Sequence, residues 1–293
     1  MDQFSQAFEN NFYLTQEFAD FCAQVSHLPL GRISIDDQNF FILKNKNISI
    51  SNYSEHVREK FRSHKISHST VQSEVNNRSS KPSALEYSIF HKISYEQAAK
   101  NYSTSFFHGL RESRKFPHTV RIERQPNREL IEKIYRIYTL QMRRRNSFIL
   151  PLSFFEAFLS KPSAQLFLIE SNSQIIAYFC CFQYRDNIYS SIGGGDPRYF
   201  SHKSSNKLYD ELIKYACANN LNIHMGIGEY ASGYQKFKQN AGAVNYRLEQ
   251  FPNREFLLKI SFFLVRFRIT GKILQLLSKC FPQLVAYEIM PFT

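Results

Sequence analysis

The 293-residue sequence has few of the features that mark a metal protein, a disulfide-stapled protein or a membrane-spanning protein. Its five cysteines include no Cys-x-x-Cys pair and no spacing typical of a metal site. No stretch reaches the roughly 18 uncharged apolar residues that a membrane span needs. The first residues are polar and acidic, unlike a signal peptide. These absences predict free thiols, no bound metal and a cytoplasmic location.

Positive charge is abundant and unevenly placed. The chain has 37 Lys and Arg against 25 Asp and Glu, a net charge of +12, and its 43% hydrophobic content is typical of a folded globular protein. Residues 103–145 hold eleven basic and four acidic residues, and residues 251–293 hold six and two. Such local surpluses indicate a polyanionic partner: a phosphorylated cofactor, a nucleic acid or an acidic lipid.

Residues 1–83 are predicted to form a small α/β subdomain followed by a linker. A helix is expected within 5–25 and strands within 32–50, with a hairpin turn at Asn45–Asn47. Residues 51–83 are rich in Ser, His, Asn, Arg and Lys and show little apolar periodicity, which favours a linker or a poorly packed connecting region.

Residues 84–250 carry the clearest pattern. Strand-like and helix-like segments alternate up to a helix capped by Asn127, and Ser153-x-x-Glu156 predicts a capping box at the start of the next helix. Three strands joined by short turns then predict an antiparallel meander, followed by a helix over 207–220 and a further strand. The predicted fold class is α/β, with a mixed α+β sheet.

The last segment, residues 251–293, is apolar and basic. Two short helices broken near Gly271 fit it better than one long helix, because a single helix has no one charged face. These helices either lie on a membrane surface or pack on the core.

Three places could carry chemistry. Ser204, Ser205 and Asn206, flanked by Lys203 and Lys207, come where free N–H groups and the helix dipole favour an anion, although they also suit an ordinary helix cap. The run "IGGGDP" has the spacing of neither a dinucleotide fingerprint nor a P-loop, and predicts a tight turn or a close backbone approach.

The third place is "GEYASGYQKFKQNAGA", residues 228–243, with His224 on the strand before it. Its titratable groups Glu229, Tyr230 and Tyr234 suit a general base and a general acid, and the alternative is an ordinary strand-to-helix connection. The basic residues Arg111 and Arg143–Arg145 either bind phosphates or are solvated.

Taken in order, four stretches resemble the Fem-like branch of the GNAT acyltransferase superfamily. They are "SFFHGLRESRK", "YTLQMRRRNSFILPLSFFEAFLS", "IGGGDPRYFSHKSSNKLYDELIKYA" and "SGYQKFKQNAGA". The resemblance spans roughly residues 84–250. It implies a GNAT-like domain there, a reduced N-terminal subdomain over 1–83 and a helical tail over 251–293.

The resemblance also implies an activity, a donor and partners. An amine acceptor attacks the carbonyl of acyl-CoA or of aminoacyl-tRNA, and a splayed strand supplies backbone N–H groups to the developing oxyanion. The acceptor is expected to be a small-molecule amine or a glycan or lipid precursor of the cell envelope or of a polysaccharide. The tail, residues 254–293, is expected to contact the inner membrane peripherally.

Residues that match the family's stretches, or lie beside its closing signature, are candidates for particular roles. His224, Glu229 and Tyr234 are expected to be catalytic, and Arg111 and Asp196 to bind substrate. The expected donor-binding residues are Ser204, Ser205, Asn206, Lys207, Lys236 and Lys238.

One departure stands out at the strand before the closing signature. The family usually has an aspartate where this chain has His224. Either His224 takes over as base or orienting residue, or the chain is an inactive relative that acts as a basic membrane- or nucleic-acid-binding module.

Overall fold

The computed structural model describes residues 3–8, 11–26, 29–35, 38–43, 46–51, 55–64, 66–72, 85–145, 147, 149–229 and 232–251. They fall into two compact units. The first unit takes its described residues from Met1–Tyr87, Ile227–Tyr230 and Asn245–Thr293, and the second from Ser88–Gly226 and Ala231–Val244. The predicted tail lies outside the described residues, apart from Phe251.

The first unit holds a mixed sheet with helices beside it. Its helices are α1 (Gln3–Phe8), a 3₁₀ turn (Phe12–Leu14), α2 (Gln16–Ser26) and α3 (Glu55–Ser63). Its strands are β1 (Leu30–Ile35), β2 (Gln38–Leu43), β3 (Lys46–Ser51), β4 (Ser67–Gln72) and β11 (Val244–Phe251, all but its first residue). They lie side by side in the order β1-β2-β3-β4-β11, with only β3 and β4 parallel.

Part of the expected organisation of this unit is confirmed and part is wrong. The strands are confirmed, and β2 and β3 pair antiparallel as a hairpin requires. Of the predicted turn, Lys46 and Asn47 belong to β3, and Asn45 lies outside the described residues. The single helix expected within 5–25 is interrupted, because the side chain of Asn11 accepts a hydrogen bond from the Tyr13 amide and starts the 3₁₀ turn. The linker expectation is wrong for residues 55–72: Phe61 of α3 is fully buried and packs with Phe40 in a small apolar core.

The second unit is built around a meander. Its strands are β5 (Leu85–Phe90, from Ser88 onward), β6 (Thr119–Glu123), β7 (Ala164–Ser171), β8 (Gln174–Tyr184), β9 (Asn187–Gly195) and β10 (Asn222–Glu229, up to Gly226). Its helices are α4 (Tyr95–Lys100), α5 (Thr104–Ser113), α6 (Arg128–Arg145), α7 (Leu152–Leu159), a 3₁₀ helix (Pro197–His202), α8 (Ser204–Ala218) and α9 (Gly233–Asn240). Five of these strands lie in the order β10-β9-β8-β7-β6, and neighbouring strands are antiparallel except β9 and β10, which are parallel. The predicted meander is therefore confirmed.

The central strand β8 is buried on both faces, which explains its nearly unbroken apolar sequence. Phe179 faces α8, where its ring packs edge-on against Tyr209 at 5.5 Å between centroids. Phe182 faces the other way and stacks on Phe158 of α7 at 3.9 Å. The sheet of the second unit thus separates a layer containing α8 from a layer containing α7.

Two predicted caps have different outcomes. Asn127 caps α6 as expected, since its Oδ1 accepts a hydrogen bond from the Leu130 amide at 2.9 Å. The Ser153–Glu156 capping box is wrong, because the N-cap is Pro151, two residues before Ser153, and α7 begins at Leu152 with no side-chain cap. Among the described residues, no helix combines the length and the hydropathy that crossing a bilayer requires.

A buried carboxylate ties α8 to the segment around α4. Asp210 of α8 is buried, and its Oδ1 accepts hydrogen bonds from the hydroxyls of Tyr95 at 2.8 Å and Tyr102 at 3.0 Å. Its Oδ2 lies 2.8 Å from Nζ of Lys214, one turn along the same helix. This cluster satisfies a charge that burial would otherwise make costly.

The Asp210 cluster predicts a large effect of one substitution. Asp210→Ala should lower the free energy of unfolding by about 3 kcal/mol, because several hydrogen bonds to a buried charge are lost together. Glu129→Ala is the matched control: Glu129 forms the same i,i+4 pair with Lys133 at 2.8 Å, but both partners are exposed. Urea denaturation should show no measurable loss for Glu129→Ala. Equal effects of the two substitutions would contradict this account.

The same cluster predicts a dependence on alkaline pH. Burial, and then the hydrogen bond to Asp210, raise the pKa of Tyr95 to about 12. This pKa lies above that of tyrosine in the unfolded chain, near 10. The contribution of the protonated Tyr95 hydroxyl to the free energy of unfolding is therefore fully present below about pH 10 and is lost as the pH rises towards 12. When the free energy of unfolding is measured with urea at each pH, the Tyr95→Phe variant should lose less of it between pH 10 and 12 than the parent protein does. An unchanged profile in Tyr95→Phe would refute the assignment.

Candidate functional site

The parallel pair β9 and β10 is joined over a short length only. The paired residues are Asn187 with Asn222, Ile188 with Ile223, and Tyr189 with His224. Both strands continue past this point, β9 to Gly195 and β10 through Gly226, without further pairing between them. The separation of two parallel strands leaves backbone N–H and C=O groups along their facing edges. We call this place the strand gap.

Both strands are irregular where the gap begins. The pairing of β8 with β9 shifts between Cys180 and Cys181, which face Ile192 and Ser190, so Ser191 is an extra residue in β9. In β10, Gly226 has a φ of +72°, in the left-handed region that favours glycine. A bulge leaves a residue outside the ladder, so it can present an N–H group to a ligand.

A buried lysine occupies the β10 side of the gap. Lys238 of α9 is fully buried, and its Nζ donates a hydrogen bond to the carbonyl oxygen of Gly226 at 3.0 Å. The same ammonium lies 4.3 Å from the ring centroid of Tyr234, one turn earlier on α9. Lys238 therefore provides the Gly226 carbonyl, at the left-handed position of β10, with a buried hydrogen-bond donor.

The amino end of α8 follows β9 after one 3₁₀ helix. Lys203 occupies the N-cap position with a φ of 51° and no side-chain cap. Among the described residues, the backbone amides of Ser204 and Ser205 donate no hydrogen bond, and the first turn contains no acidic residue. Free amides and the positive end of the helix dipole favour an anion here.

The chain matches known proteins through this same part. Residues 108–239 match the model of the acetyltransferase (GNAT) domain. No curated protein matches the sequence. Among solved structures the chain is similar to FemX, with 10% identity, a TM-score of 0.62, and coverage of 88% of this chain and 96% of FemX.

The protein has a Fem-like GNAT fold. It is also similar to the C-terminal domain of a putative lysylphosphatidylglycerol synthetase from Agrobacterium fabrum, with 11% identity, a TM-score of 0.54, and coverage of 85% of this chain and 93% of that one. L-PGS from Bacillus licheniformis gives 11% identity, a TM-score of 0.53, and coverage of 87% and 96%.

The three residues predicted to be catalytic differ in their surroundings. His224 is the last paired residue of β10; it is fully buried, and its ring stacks on Tyr189 at 4.5 Å and 14°. Glu229 ends β10, and its side chain lies outside the described residues. Tyr234 is 49% exposed, but its hydroxyl lies 3.3 Å from that of Tyr209, and burial of the group raises its pKa.

The predicted donor-binding residues do not form one group. At α8, Ser204 is buried and Ser205 exposed. The side chain of Asn206 lies against Gly109 of α5, and Lys207 pairs with Glu211 at 2.7 Å. The three polar residues form the first helical turn instead of the cap expected as the alternative.

The remaining predicted residues differ in exposure. Lys238 is buried at the gap, whereas Lys236 is exposed. Arg111 is exposed on α5. Asp196 is buried, and its carboxylate accepts from Arg198, with 2.6 Å between Oδ2 and the nearest guanidinium nitrogen. In the described part of the chain, no group of three or more His, Cys, Asp or Glu side chains is placed to hold a metal ion.

Sequence reasoning missed two polar residues beside the gap. Gln141 of α6 lies against Gly194 of β9, and Tyr178 of β8 is paired with Gly194. Both are buried. The sequence does indicate that Gln141 is buried, because its position continues the apolar face of α6 formed by Ile134, Ile137 and Tyr138.

The two lysines of α9 predict opposite results. Lys238→Met keeps the aliphatic stem but leaves the Gly226 carbonyl without its ammonium donor, so the free energy of unfolding should fall by about 1–3 kcal/mol. Lys236→Met is the matched control and should leave it unchanged, because Lys236 is exposed. Chemical denaturation of both variants measures this. If Lys238→Met were as stable as the parent protein, the buried hydrogen bond would not be holding β10.

Proposed function

We propose that the protein is an N-acyltransferase that moves an acyl group from acyl-CoA to an amine acceptor, on a cell-envelope or polysaccharide precursor. The observation that carries the proposal is the strand gap, with β9 leading directly to the free amides of α8. A thioester carbonyl in the gap and a phosphate at α8 are then held by one continuous segment of chain. The GNAT domain match over residues 108–239 supports this arrangement.

The donor is polarised by the backbone. A carbonyl oxygen that accepts hydrogen bonds from amides near Ser191 gains negative charge as the amine attacks, and fixed N–H groups stabilise that charge. The pyrophosphate of acyl-CoA binds the amides of Ser204 and Ser205, with Lys203 beside them. Lys207 joins this contact only when it exchanges its pairing with Glu211.

The chemical step is addition followed by elimination. The amine nitrogen forms a bond to the thioester carbon, its extra proton passes to a base, and the C–S bond breaks to give an amide and a thiol. We assign Glu229 as the base and Tyr234 as the acid that protonates the leaving sulfur. The raised pKa of Tyr234 keeps its hydroxyl protonated at neutral pH. Because His224 is fully buried against Tyr189, we assign it to positioning of β10.

Aminoacyl-tRNA is a second candidate donor, favoured by the placement of basic segments around α8. Phe116, after α5, stacks on His202 at 3.8 Å, and Arg144, at the end of α6, lies 4.8 Å from the ring of Phe200. These contacts bring the basic ends of α5 and α6 to the 3₁₀ helix before α8. The structural similarity to FemX over 88% of the chain is compatible with this donor.

The acceptor and the place where the protein works are proposed to be linked to the membrane. One of the similar structures is named as part of a putative lysylphosphatidylglycerol synthetase, which makes a lipid precursor worth testing as the acceptor. We propose a cytoplasmic protein that meets the inner membrane through residues 254–293. Sedimentation with anionic liposomes should be lost when this segment is removed, and unchanged sedimentation would refute the membrane contact.

A charge placed at the start of α8 tests donor binding. Ser205→Glu puts a carboxylate beside the free amides, so CoA affinity should fall about tenfold, while stability should not decrease, because an acidic residue suits a helix N-terminus. Asn219→Asp is the control, since it makes the same charge change at the other end of α8. It should leave the Kd for CoA unchanged. Unaltered CoA affinity in Ser205→Glu, measured by calorimetry, would contradict the phosphate site.

The donor itself is decided by direct titration. Acetyl-CoA should bind the purified protein and be consumed in the presence of an amine acceptor. Binding of aminoacyl-tRNA without binding of acetyl-CoA would replace the first candidate by the second. Binding of liposomes or RNA with no transfer from either donor would show an inactive binding module.

A further inference from the structure

Three polar side chains on the α6 side of the sheet have no role in the reaction described above. Gln141 is 5% exposed and Tyr178 is fully buried, yet the carboxamide oxygen of Gln141 and the hydroxyl of Tyr178 have no hydrogen-bond partner among the described residues. Arg145 is exposed, and it has no ion pair or hydrogen bond within the described part of the chain. Burying polar groups without partners costs about 1–3 kcal/mol for each group. Such a cost is typical of a site whose partner comes from outside the chain.

We call these three side chains the cluster, because Gln141 and Tyr178 meet at Gly194 and Arg145 shares a helical face with Gln141. Gln141 and Arg145 are four residues apart on α6 and therefore lie on the same helical face. The carboxamide oxygen of Gln141 and the ring of Tyr178 both lie beside Gly194. A Cβ atom at position 194 would contact both of them, with Cε1 of Tyr178 at 3.3 Å. The positive charge of Arg145 opposes the rise that burial causes in the pKa of the Tyr178 and Tyr234 hydroxyls.

The chemistry of the cluster favours a small anion. Arg145 and Tyr178 donate hydrogen bonds, and Gln141 can also donate, because its carboxamide can present nitrogen instead of oxygen. None of the three pairs with an Asp or Glu among the described residues. One guanidinium beside two neutral dipoles balances one negative charge, whereas a dianionic phosphate would leave a charge uncompensated among buried groups. A planar carboxylate matches the guanidinium fork.

The cluster also lies on the side of the sheet that the donor leaves open. Helix α8 packs on the opposite face, where Tyr209 meets Phe179. A donor whose phosphates are held at α8 therefore approaches the gap from that face. The acceptor then reaches the reacting carbon from the α6 side, past Gln141, Arg145 and Tyr178.

We propose that Gln141, Arg145 and Tyr178 bind a carboxylate carried by the acceptor. The acceptor is then an amino acid or a peptide with a free carboxyl group, not a polyamine or a simple alkylamine. This inference rests on the proposed function, since it takes the strand gap as the place of acyl transfer.

The test compares two ligands that differ by one charge. N-acetyl-alanyl-alanine and its C-terminal amide both lack a reactive amine, so calorimetry at millimolar concentration measures binding alone. The acid should bind about tenfold more tightly than the amide, as expected for one charge-assisted hydrogen-bonded contact. Equal affinities, or no binding of the acid, would overturn the proposal, and tighter binding of inorganic phosphate would overturn the choice of carboxylate.

Matched variants assign the preference to the cluster. Arg145→Gln should remove the difference between acid and amide, whereas Arg143→Gln, with the same charge change two residues away, should retain it. Tyr178→Phe should weaken binding of the acid without lowering the melting temperature, because the hydroxyl it removes has no partner among the described residues. A less stable Tyr178→Phe variant with unchanged affinity would show a structural hydroxyl and would refute its role in binding.

These outcomes are distinct from failure of the proposed reaction. A preference for the acid in a protein that does not bind CoA would keep the carboxylate subsite and remove acyl-CoA as donor. Binding of CoA with no preference for the acid would keep the donor and remove the subsite.

Discussion

The hydrogen bond from the buried ammonium of Lys238 to the carbonyl oxygen of Gly226 determines how β10 leaves β9. A carbonyl turned out of a sheet ladder needs another partner, and a left-handed backbone in mid-strand needs glycine. Gly226 supplies the left-handed residue, and Lys238, twelve residues later on α9, supplies the partner for its carbonyl. Lys238 and Gly226 thus hold β10 in its conformation after His224, and the extra residue Ser191 makes β9 irregular opposite them.

This separation gives the GNAT domain a gap with two different sides. On one side α8 offers free backbone amides, which recognise negative charge without any particular side chain. On the other side α6 offers Gln141 and Arg145, whose side chains can discriminate between ligands. The division suits a transferase that accepts a common donor and a specific acceptor. It also explains why β8, between the two layers, contributes both a core ring at Phe179 and a polar hydroxyl at Tyr178.

The sequence was informative wherever a pattern repeated and uninformative wherever one contact decided the outcome. The meander and α8 followed from apolar periodicity, and the order of motifs predicted the Fem-like GNAT fold. Lys236 and Lys238 looked equivalent in sequence, and only the packing of α9 makes one exposed and the other buried. Helix α3 was missed because its polar composition hides its two buried apolar residues, Val57 and Phe61. The capping box failed because Pro151 already supplied a suitable start for α7.

The central claim is that the donor binds in the strand gap. Amide hydrogen exchange, with and without CoA, tests donor binding there most directly. In the free protein, amides of Ser190–Gly195 that face the gap should exchange faster than those of the paired segment Asn187–Tyr189. Addition of CoA should slow exchange in Ser190–Gly195 and at Ser204 and Ser205 together. Protection by CoA elsewhere in the chain, with these segments unchanged, would contradict the central claim.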